Sequence, residues 1–483
     1  MGKQLGGKGG IMSGGQSNSA AVSVSIELFR EPAGSDESRT IASRFGLTGT
    51  RRELMYDRLQ LPLSPGSITA VTGPSGSGKS LLLEEIARLV PAAEWLDESA
   101  LALPDQPAVS VLEGGSLSER LSMLSRCGLA EAAVLTCPAG HLSGGQRYRL
   151  ALAGALHRAN RRGGRQIVLA DEFASNLDLP TAQVLAGRVR SLVTSSYNSG
   201  DCGDGGIALV LATPREEILR QLRPDVLIRK PLGLPGTVEV PHDARPPWDG
   251  KTWPVRRGRL SDYMKLSRFH YLAGAPAANR RVWIIRPPRE HRGRAGVPDV
   301  AAVLVVSPPV AGCRGRNLAL GDRYAGPDRS QALARLNREI ECISRVVVHP
   351  IYRGCGLADR LIRHALRTAQ TPYVECLAAM GDIHPLFGRA GMKPHRVPPN
   401  RHMARLLSAA EAVGLTAEQM SAVEPVRRML CQSGPEAEFL RCEIENCIRH
   451  VMDDKRLGRS ADPVAEVCAR SGRQYIYYLY KQE

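Results

Sequence analysis

The stretch GPSGSGKS at residues 73–80 constrains the fold of this chain more than any other feature of its sequence. It fits the pattern GxxxxGK[ST], follows the apolar run ITAV and leads into a segment with apolar residues at helical spacing. A strand, glycine loop and helix in this order direct backbone amides at phosphate oxygens, while the lysine reaches the terminal phosphates and the serine ligates magnesium. The sequence therefore predicts an α/β nucleotide-binding fold. The predicted phosphate-binding residues are Gly73, Pro74, Ser75, Gly76, Ser77, Gly78, Lys79 and Ser80, with Ser80 also a magnesium ligand.

Two carboxylates follow a second apolar strand pattern at residues 167–170. They are Asp171 and Glu172, and two charges at the end of a buried strand are costly unless they serve a function. Phosphoryl transfer needs groups that position magnesium and the attacking water. We therefore predict that Asp171 orients the magnesium shell and that Glu172 polarises the water.

Two further motifs lie on either side of these carboxylates, LSGGQ at residues 142–146 and SNLD at residues 175–178. Together with the phosphate loop, and in the same order, they resemble the motifs of the ATP-binding-cassette (ABC) ATPases. The resemblance implies a head-to-tail homodimer in which LSGGQ of one subunit closes on the ATP and Mg²⁺ held by the other. It adds the ATP-contacting residues Ser143, Gly144, Gly145 and Gln146, and makes Gln106 the counterpart of the magnesium-sensing glutamine.

The chain departs from the ABC pattern at two places. The family usually has a histidine after a later strand, whereas this chain has Pro214 after Thr213, and proline has no side-chain donor. Three interpretations stay open. Thr213 takes the place of the histidine, ATP hydrolysis is slow, or the cassette binds ATP without hydrolysing it. The segment between Ser80 and Leu142, where ABC transporters couple to membrane helices, is short at 61 residues. No run of about 18 apolar residues occurs, so a transporter subunit would need a separate membrane partner.

A second glycine turn lies in the stretch HPIYRGCGLADRLIRHAL, residues 349–366. It follows an apolar run at residues 346–348 and precedes a segment in which Leu357, Leu361 and Leu366 fall on one helical face. A strand, glycine turn and helix again direct backbone amides at an anion. The turn lacks the third glycine of the dinucleotide fingerprint GxGxxG, so another anion is indicated.

This turn resembles the RxxGxG/A loop of the GCN5-related N-acetyltransferases (GNAT), and the strand-like segments RVWIIRPP, AAVLVVSPP and YVECLAA agree with that family. The resemblance spans roughly residues 260–392. It implies an α+β acyltransferase domain after the ATPase domain, with acetyl-CoA or another acyl-CoA held by its pyrophosphate. The residues it assigns to this cofactor are Val348, Arg353, Gly354, Cys355, Gly356, Leu357 and Ala358.

The catalytic tyrosine usual in that family is missing. Phe387 occupies its position and cannot protonate a leaving thiolate. A general acid or base must then come from another side chain near the turn. The candidates are Tyr352, His384 and Cys376 as acids, and Glu341 and His349 as bases. Each also has a structural interpretation, as a strand-ending, core-packing or solvent-facing residue.

Positive charge is concentrated between the two predicted domains. The formal net charge is +16, and residues 241–300 hold thirteen Lys and Arg against five Asp and Glu, a surplus of eight. Such a segment favours polyanionic partners, above all nucleic acid. The aromatic stretch FHY at residues 269–271, beside Arg268, suits base stacking, or alternatively packs on the sheet. It also gives a few-residue resemblance to the Mom-type phage proteins that modify adenine in DNA.

The sequence predicts five segments. They are a disordered N-terminus (1–22), the ABC-type ATPase domain (23–240), a basic linker (241–259), the GNAT-like acyltransferase domain (260–400) and a C-terminal helical extension (401–483). The final RQYIYYLY reads as a strand that could instead cap the acyltransferase sheet. Eleven cysteines without a CxxC pair, and no signal peptide, predict reduced thiols in the cytoplasm.

These observations predict an ATP-hydrolysing cassette coupled to an acyl-CoA-dependent acyltransferase that acts on nucleic acid or on a protein bound to it. Two alternatives stay open. One is an ATP-dependent regulatory module whose acetyltransferase half is inactive, as Phe387 would permit. The other is the ATPase subunit of a transporter with a separate permease.

Overall fold

The structure of the protein is a computed structural model. It describes residues 5–6, 11–12, 21–30, 35–44, 51–96, 106–198, 205–239, 253–270, 274–287, 297–324, 328–451, 462–472 and 475–482. The strands are β1 (Leu5–Gly6), β2 (Ile11–Met12), β3 (Ala21–Arg30), β4 (Arg51–Pro62), β5 (Ile68–Thr72), β6 (Glu94–Trp95), β7 (Arg165–Ala170), β8 (Gly206–Thr213), β9 (Val226–Arg229), β10 (Thr237–Glu239), β11 (Val255–Arg257), β12 (Arg281–Ile285), β13 (Ala302–Ser307), β14 (Ile340–Val348), β15 (Tyr373–Ala378), β16 (Lys393–Arg396) and β17 (Ile476–Lys481).

The described residues also form seventeen helices of three or more residues in α conformation. They are α1 (Asp36–Arg44), α2 (Lys79–Leu89), α3 (Leu117–Arg126), α4 (Ala132–Thr136), α5 (Gly144–Arg162), α6 (Leu179–Asn198), α7 (Leu219–Leu222), α8 (Leu260–Met264), α9 (Arg314–Leu320), α10 (Arg329–Glu339), α11 (Leu357–Arg367), α12 (Leu386–Arg389), α13 (Arg401–Ala412), α14 (Ala417–Met420), α15 (Val423–Leu430), α16 (Pro435–Val451) and α17 (Pro463–Ser471).

A six-stranded sheet in the order β10-β9-β5-β8-β7-β6 forms the centre of the first half. All pairs are parallel except β9 with β10, and β5 is buried along its whole length, as strands covered on both faces are. The apolar core on one face includes α5 and α6, and the core on the other includes α2 with β3 and β4. The carboxyl ends of β5, β7 and β8 therefore meet at one edge, where ligands of open α/β sheets bind.

The N-terminal strands form a separate antiparallel sheet, in which β3 pairs with β1, β2 and β4. Residues 1–22 were expected to be disordered, but Leu5–Gly6 and Ile11–Met12 pair with β3, which itself begins at Ala21, so that expectation is wrong for these four residues and for Ala21 and Val22. The rest of the segment before Ala21 lies outside the described residues.

The second half is built on a seven-stranded sheet in the order β11-β12-β13-β14-β15-β17-β16. Only β14 and β15 are parallel, and α11 is the crossover between them. They pair over Ile340–Cys342 and Tyr373–Glu375 and are unpaired beyond that point. A register shift between β13 and β14 leaves Ser344 without a partner residue on β13, which is a β-bulge.

Two segment boundaries need correction. The C-terminal strand β17 lies between β15 and β16, so the tail is not only a helical extension but also completes the sheet. Helices α13 to α17 pack around a core of their own before the chain returns to that sheet. Strand β11 pairs with β12 although it falls inside the predicted linker. Residues 241–252, 271–273 and 288–296 of the basic segment lie outside the described residues.

Candidate functional site

The phosphate loop connects β5 to α2 and has a conformation that favours glycine. Gly78 has φ +97° at the start of α2, and a Cβ there would lie 2.3 Å from the methyl carbon of Met55. At Gly73 a Cβ would lie 2.1 Å from the carbonyl oxygen of Lys230. Both positions therefore exclude side chains, and the loop leads directly into the N-terminus of α2, where a phosphate can bind.

Lys79 lies at the mouth of this loop. Its ammonium donates to the carbonyls of Gly73 and Pro74, at 2.9 Å each. Burial lowers the pKa of Lys79, while the charges of Asp171 and Glu172 oppose that shift. The structure thus brings the predicted phosphate-binding lysine into the electrostatic field of both predicted carboxylates.

Asp171 and Glu172 follow β7 in a tight turn. The Asp171 carboxylate accepts from the backbone N–H of Glu172 at 2.8 Å, and Glu172 has a left-handed φ of +46°. The Glu172 side chain is exposed and accepts from the Ser175 hydroxyl at 3.5 Å. This strained conformation leaves the second carboxylate exposed at the sheet edge, where a water-activating group would be needed.

Tyr148, which is outside the set of residues predicted from the sequence, supports this turn. It is buried on α5, and its hydroxyl accepts from the backbone N–H of Ala174 at 3.0 Å. Its ring packs edge-on against Phe173, with centroids 6.3 Å apart. The only sequence signal was its position two residues after the LSGGQ motif.

The residues at this edge fit a nucleotide-bound magnesium ion. Mg²⁺ usually takes one or two protein oxygens and completes its shell with phosphates and water. Ser80 is exposed in the first turn of α2, and Asp171 is half-buried at the end of β7. The described residues contain no group of three or more His, Cys, Asp or Glu that could hold a metal without the nucleotide.

Gln106 has a local hydrogen bond. Its side-chain N–H₂ donates to the Ser110 carbonyl at 2.9 Å, which holds the amide in the turn before α3. This hydrogen bond uses the amide nitrogen of Gln106 and not the amide oxygen, which is the atom that the predicted role in magnesium sensing would need.

The LSGGQ segment forms the N-terminus of α5. The backbone N–H of Ser143 donates to the Gln146 side chain at 2.9 Å, the return half of a capping box. Ser143 and Gly144 are exposed. A Cβ on Gly145 would lie 2.9 Å from Leu177, so this glycine allows the motif to pack on the SNLD loop.

Thr213 does not replace the missing histidine. It is fully buried, and its hydroxyl donates to the Phe173 carbonyl at 3.1 Å. Pro214 is exposed, and the next residue, Arg215, donates from its guanidinium to the Ser175 carbonyl at 2.7 Å. Arg215 was not predicted, yet it is the cation that connects this strand end to the loop after Glu172.

The second glycine turn opens into a cavity of 610 Å³. Gly354 and Gly356 have φ of +81° and +72°, and Gly356 is the N-cap residue of α11. The predicted cofactor-binding residues that line the cavity are Val348, Arg353, Gly354, Gly356, Leu357 and Ala358. Cys355 instead lines a cavity of 250 Å³ on the other side of the turn.

Two of the candidate catalysts, Tyr352 and His384, also line the larger cavity. Burial raises the pKa of the Tyr352 hydroxyl, which is packed edge-on against Trp253 with ring centroids 5.2 Å apart. Burial, and then the Arg389 charge, lower the pKa of His384. A protonated phenol and a neutral imidazole at neutral pH are therefore available at one site.

Glu341 is not available as a base, which corrects the sequence prediction. Its side chain is 1% exposed and forms an ion pair with Arg281, itself 3% exposed. It also lies seven residues before Val348 in β14, which is about 23 Å along a strand. A carboxylate paired at the far end of the strand stabilises the sheet and does not reach the turn.

The two remaining candidates, Cys376 and His349, pack against neighbouring side chains, as does Phe387. Cys376 is 3% exposed, and burial raises the pKa of its thiol well above the ordinary value, so it is a core residue. The His349 ring packs edge-on against Phe269, with centroids 5.0 Å apart. Phe387 packs against Tyr478, with ring centroids 5.6 Å apart.

Comparison with known proteins shows what the first half of the chain is similar to. A family model described as ABC transporter matches residues 56–175, which include the phosphate loop, the LSGGQ segment and both carboxylates. The cytochrome c biogenesis ATP-binding export protein CcmA of Nitrobacter winogradskyi is 31% identical over 195 residues, covering 35% of this chain and 90% of that protein.

Two further similarities are weaker, one because it covers less of the relative and the other because the structural similarity is low. The aliphatic sulfonates import ATP-binding protein SsuB of Cupriavidus pinatubonensis is 35% identical over 167 residues, 29% of this chain and 52% of that protein. The chain thus spans about half the length of that relative. The dimeric structure of MJ0796, a bacterial ABC transporter cassette, matches at 20% identity over 39% of this chain and 92% of that chain, with a TM-score of 0.29 that supports no further inference.

The sheet edge and these similarities define an ATP-binding protein with a P-loop ATPase fold. The chain belongs to the ABC family, whose ligand is ATP with Mg²⁺. Within the described ranges, no helix is long and apolar enough to cross a membrane.

Proposed function

We propose that this protein is an ABC ATPase coupled to an acyl-CoA-dependent acyltransferase of the GNAT type, formed by the seven-stranded sheet and its helices. The observation that carries the proposal is the end of β14. There the pairing with β15 has stopped, and the strand turns through Gly354 and Gly356 into α11 at the mouth of the 610 Å³ cavity. A thioester arm could enter between the unpaired strands while the turn amides hold a diphosphate.

Tyr352 and His384 are the proposed catalysts. In acyl transfer the acceptor amine attacks the thioester carbonyl, a C–N bond forms as the C–S bond breaks, and the amine proton must leave while the thiolate gains one. Since burial raises the pKa of Tyr352, its hydroxyl stays protonated and can supply the proton to the thiolate. His384, whose lowered pKa keeps it neutral, accepts from the Arg389 guanidinium at its Nε2, 3.1 Å away, and can take the amine proton there when Arg389 turns to the cofactor phosphates.

Nucleic acid is the proposed acceptor, or a protein bound to it. The described part of the basic segment presents Arg256, Arg257 and Arg268 around β11 and α8. The Arg257 guanidinium lies over the Trp283 ring at 5.4 Å, and that of Arg268 over Phe269 at 4.7 Å. Arginines positioned over aromatic rings can bind phosphates and stack on bases. A Mom-type DNA modification is one form of this reaction.

A head-to-tail homodimer is the proposed state with ATP. Pro74, Ser75 and Gly76 of the phosphate loop are exposed, as are Ser143 and Gly144. Both halves of an ATP sandwich are thus open to a second copy of the chain, in which Ser143 to Gln146 would close on the ATP held by Gly73 to Ser80.

The names of the relatives favour a second candidate, the ATPase subunit of a transporter. CcmA is named an export protein and SsuB an import protein. Against this candidate, the end of α3 packs against the Gly354 turn of this same chain. A permease would have to bind elsewhere on the ATPase domain, or displace this contact.

Mass spectrometry of nucleic acid and protein from cells with and without the chain tests the proposal. We expect an acyl-derived mass shift with the wild-type chain that is lost in Arg353→Ala, and retained in Arg367→Ala, which changes an exposed arginine at the end of α11. The same mass shift with wild type and both variants would contradict the proposed acyltransferase activity. The absence of any mass shift with wild type would contradict it as well. If wild type gives no mass shift and a membrane protein co-purifies with the ATPase domain, the transporter-subunit candidate is favoured.

A further inference from the structure

The cavity at the Gly354 turn has walls from both halves of the chain. The turn, Arg363 and Arg389 form one wall, whereas Ser122, Ser125 and Arg126 come from α3 of the ATPase domain. Arg126 also lines the 250 Å³ cavity on the other side of the turn and a third cavity of 360 Å³. This arginine is therefore at the junction of all three spaces.

Close contacts hold these two walls together. A Cβ on Gly354 would lie 2.8 Å from the Ser125 carbonyl oxygen, so the turn packs directly on the last turn of α3. Arg188, 7% exposed on α6, donates to the Ile351 carbonyl, and its Nε lies 3.5 Å from the Cys355 sulfur. Val184 on the same helix belongs to the apolar core of the second half. The turn is thus built on the ATPase domain and is not an independent loop.

The charge of the cavity selects an anion. Four arginines line it, Arg126, Arg353, Arg363 and Arg389, against the single carboxylate of Asp359, which leaves a surplus of three positive charges. Glu131 lies at the border, 3.7 Å from Arg353. The Arg353 atom in this pair, Nη1, is buried and forms no hydrogen bond among the described residues. Burial lowers the pKa of both Arg126 and Arg353, and for Arg353 the Glu131 charge opposes that shift, so a bound anion would stabilise both cations.

We propose that Arg126 of the ATPase domain binds the same diphosphate as the Gly354 turn, so that nucleotide binding and acyl-CoA binding are coupled. This inference rests on the proposed acyltransferase function and adds to it a ligand residue from the other domain and a route of regulation. The ligand class is a diphosphate-bearing cofactor such as coenzyme A, whose phosphates match the surplus of positive charge.

A chain of contacts connects Arg126 to the ATP-binding face. Arg149 on α5 donates to the Gly145 carbonyl of the LSGGQ segment at 3.0 Å and to the Gly128 carbonyl at 2.9 Å. Gly128 lies two residues after Arg126, and Arg126 itself donates to the Ser195 hydroxyl at 2.8 Å. Closure of the LSGGQ segment on ATP would move α5. The end of α3, and with it the cavity wall, would then move together with α5. Any such coupling is reciprocal.

Calorimetric titration of the full-length chain with coenzyme A tests this. With wild type, saturating adenylyl-imidodiphosphate and Mg²⁺ should change the Kd for coenzyme A by about fivefold or more. Arg126→Met, which keeps an unbranched apolar stem but removes the guanidinium, should weaken coenzyme A binding about tenfold and abolish the nucleotide effect. Arg126→Lys should recover part of the affinity because it keeps a cation.

Arg220→Ala is the matched control, since it removes an exposed arginine of the same domain outside these cavities, and it should bind as wild type does. Melting curves of each variant show whether Arg126→Met is folded, and comparison with Arg126→Lys keeps the charge effect measurable. If wild type binds no coenzyme A at millimolar concentration, the acyltransferase and this inference both fail. If wild type binds it and Arg126→Met binds it equally well, only this inference is overturned.

Discussion

Arg188 and Cys355, on opposite sides of the boundary between the two halves of the chain, are in direct contact. The guanidinium Nε of Arg188 lies 3.5 Å from the Cys355 sulfur, and the same side chain donates to the Ile351 carbonyl. A buried cation on an ATPase helix thus fixes the backbone of the glycine turn. The second domain is attached at the position where its proposed cofactor would bind.

Replacing Arg188 by Met should loosen this boundary. The substitution keeps an apolar stem but leaves the Ile351 carbonyl without its donor, which costs about 1–3 kcal/mol of unfolding free energy. Urea denaturation followed by fluorescence measures the loss. Arg220→Met, at an exposed position, should stay within about 0.5 kcal/mol of wild type. Equal stability of the two variants would show that Arg188 does not hold the domains together.

Arg215 is predicted to support ATP hydrolysis. Its guanidinium donates to the Ser175 carbonyl at 2.7 Å, in the loop whose Ser175 hydroxyl lies 3.5 Å from Glu172. Removing this charge-assisted hydrogen bond in Arg215→Ala should lower kcat for ATP about tenfold with little change in KM. Arg215→Lys should restore part of the rate. A steady-state phosphate-release assay measures both, and an unchanged kcat in Arg215→Ala would refute the role.

Much of the ATP-binding edge could be predicted because it depends on local sequence. The strand before the phosphate loop was expected over residues 68–71 and is observed as Ile68–Thr72, and the helix after it begins at Lys79. An apolar run followed by glycines and a lysine at fixed spacing is sufficient to predict this strand, loop and helix. Thr213 was proposed as a substitute for histidine, but its hydroxyl is occupied by the carbonyl of Phe173, which lies in a loop forty residues earlier in the chain.

The second half was less predictable, because its key contacts are between residues distant in sequence. Nothing near Glu341 in sequence shows that Arg281, sixty residues earlier, neutralises it inside the sheet. Strand β17 was recognised as a strand, but its place between β15 and β16 depends on tertiary pairing. The packing of Ser125 against Gly354 has no local signal at all.

Glu341→Gln should destabilise the protein without affecting coenzyme A binding. The substitution leaves the Arg281 guanidinium buried without its counter-charge, and breaking one side of a buried pair costs about 3–5 kcal/mol. Chemical denaturation measures the stability, and calorimetry measures the Kd. Glu466→Gln, which breaks the more exposed pair with Arg470, should cost only about 0.3–0.5 kcal/mol. A selective loss of acyl transfer with normal stability would instead restore Glu341 as a catalytic base.

His349 should make the stability of the protein depend on pH. Burial, followed by the charges of Arg268 and Arg353, lowers its pKa from 6.5 to about 4. Between these two values the unfolded chain binds a proton that the folded protein does not, so the free energy of unfolding falls as the pH falls from about 6.5 to about 4. After allowance for partial exposure to solvent, this contribution is of order 1–3 kcal/mol.

His349→Gln should therefore lose less stability than wild type when the pH is lowered from 7 to 4.5. Lost packing against Phe269 affects the variant at both pH values and cancels in the difference. Urea denaturation at each pH provides the measurement, and His141→Gln, at an exposed position, should follow the wild-type pH dependence. If His349→Gln loses as much stability as wild type over this range, His349 is not held neutral by the fold. The arginines beside it, Arg268 and Arg353, would then have to be screened by solvent or by a bound anion.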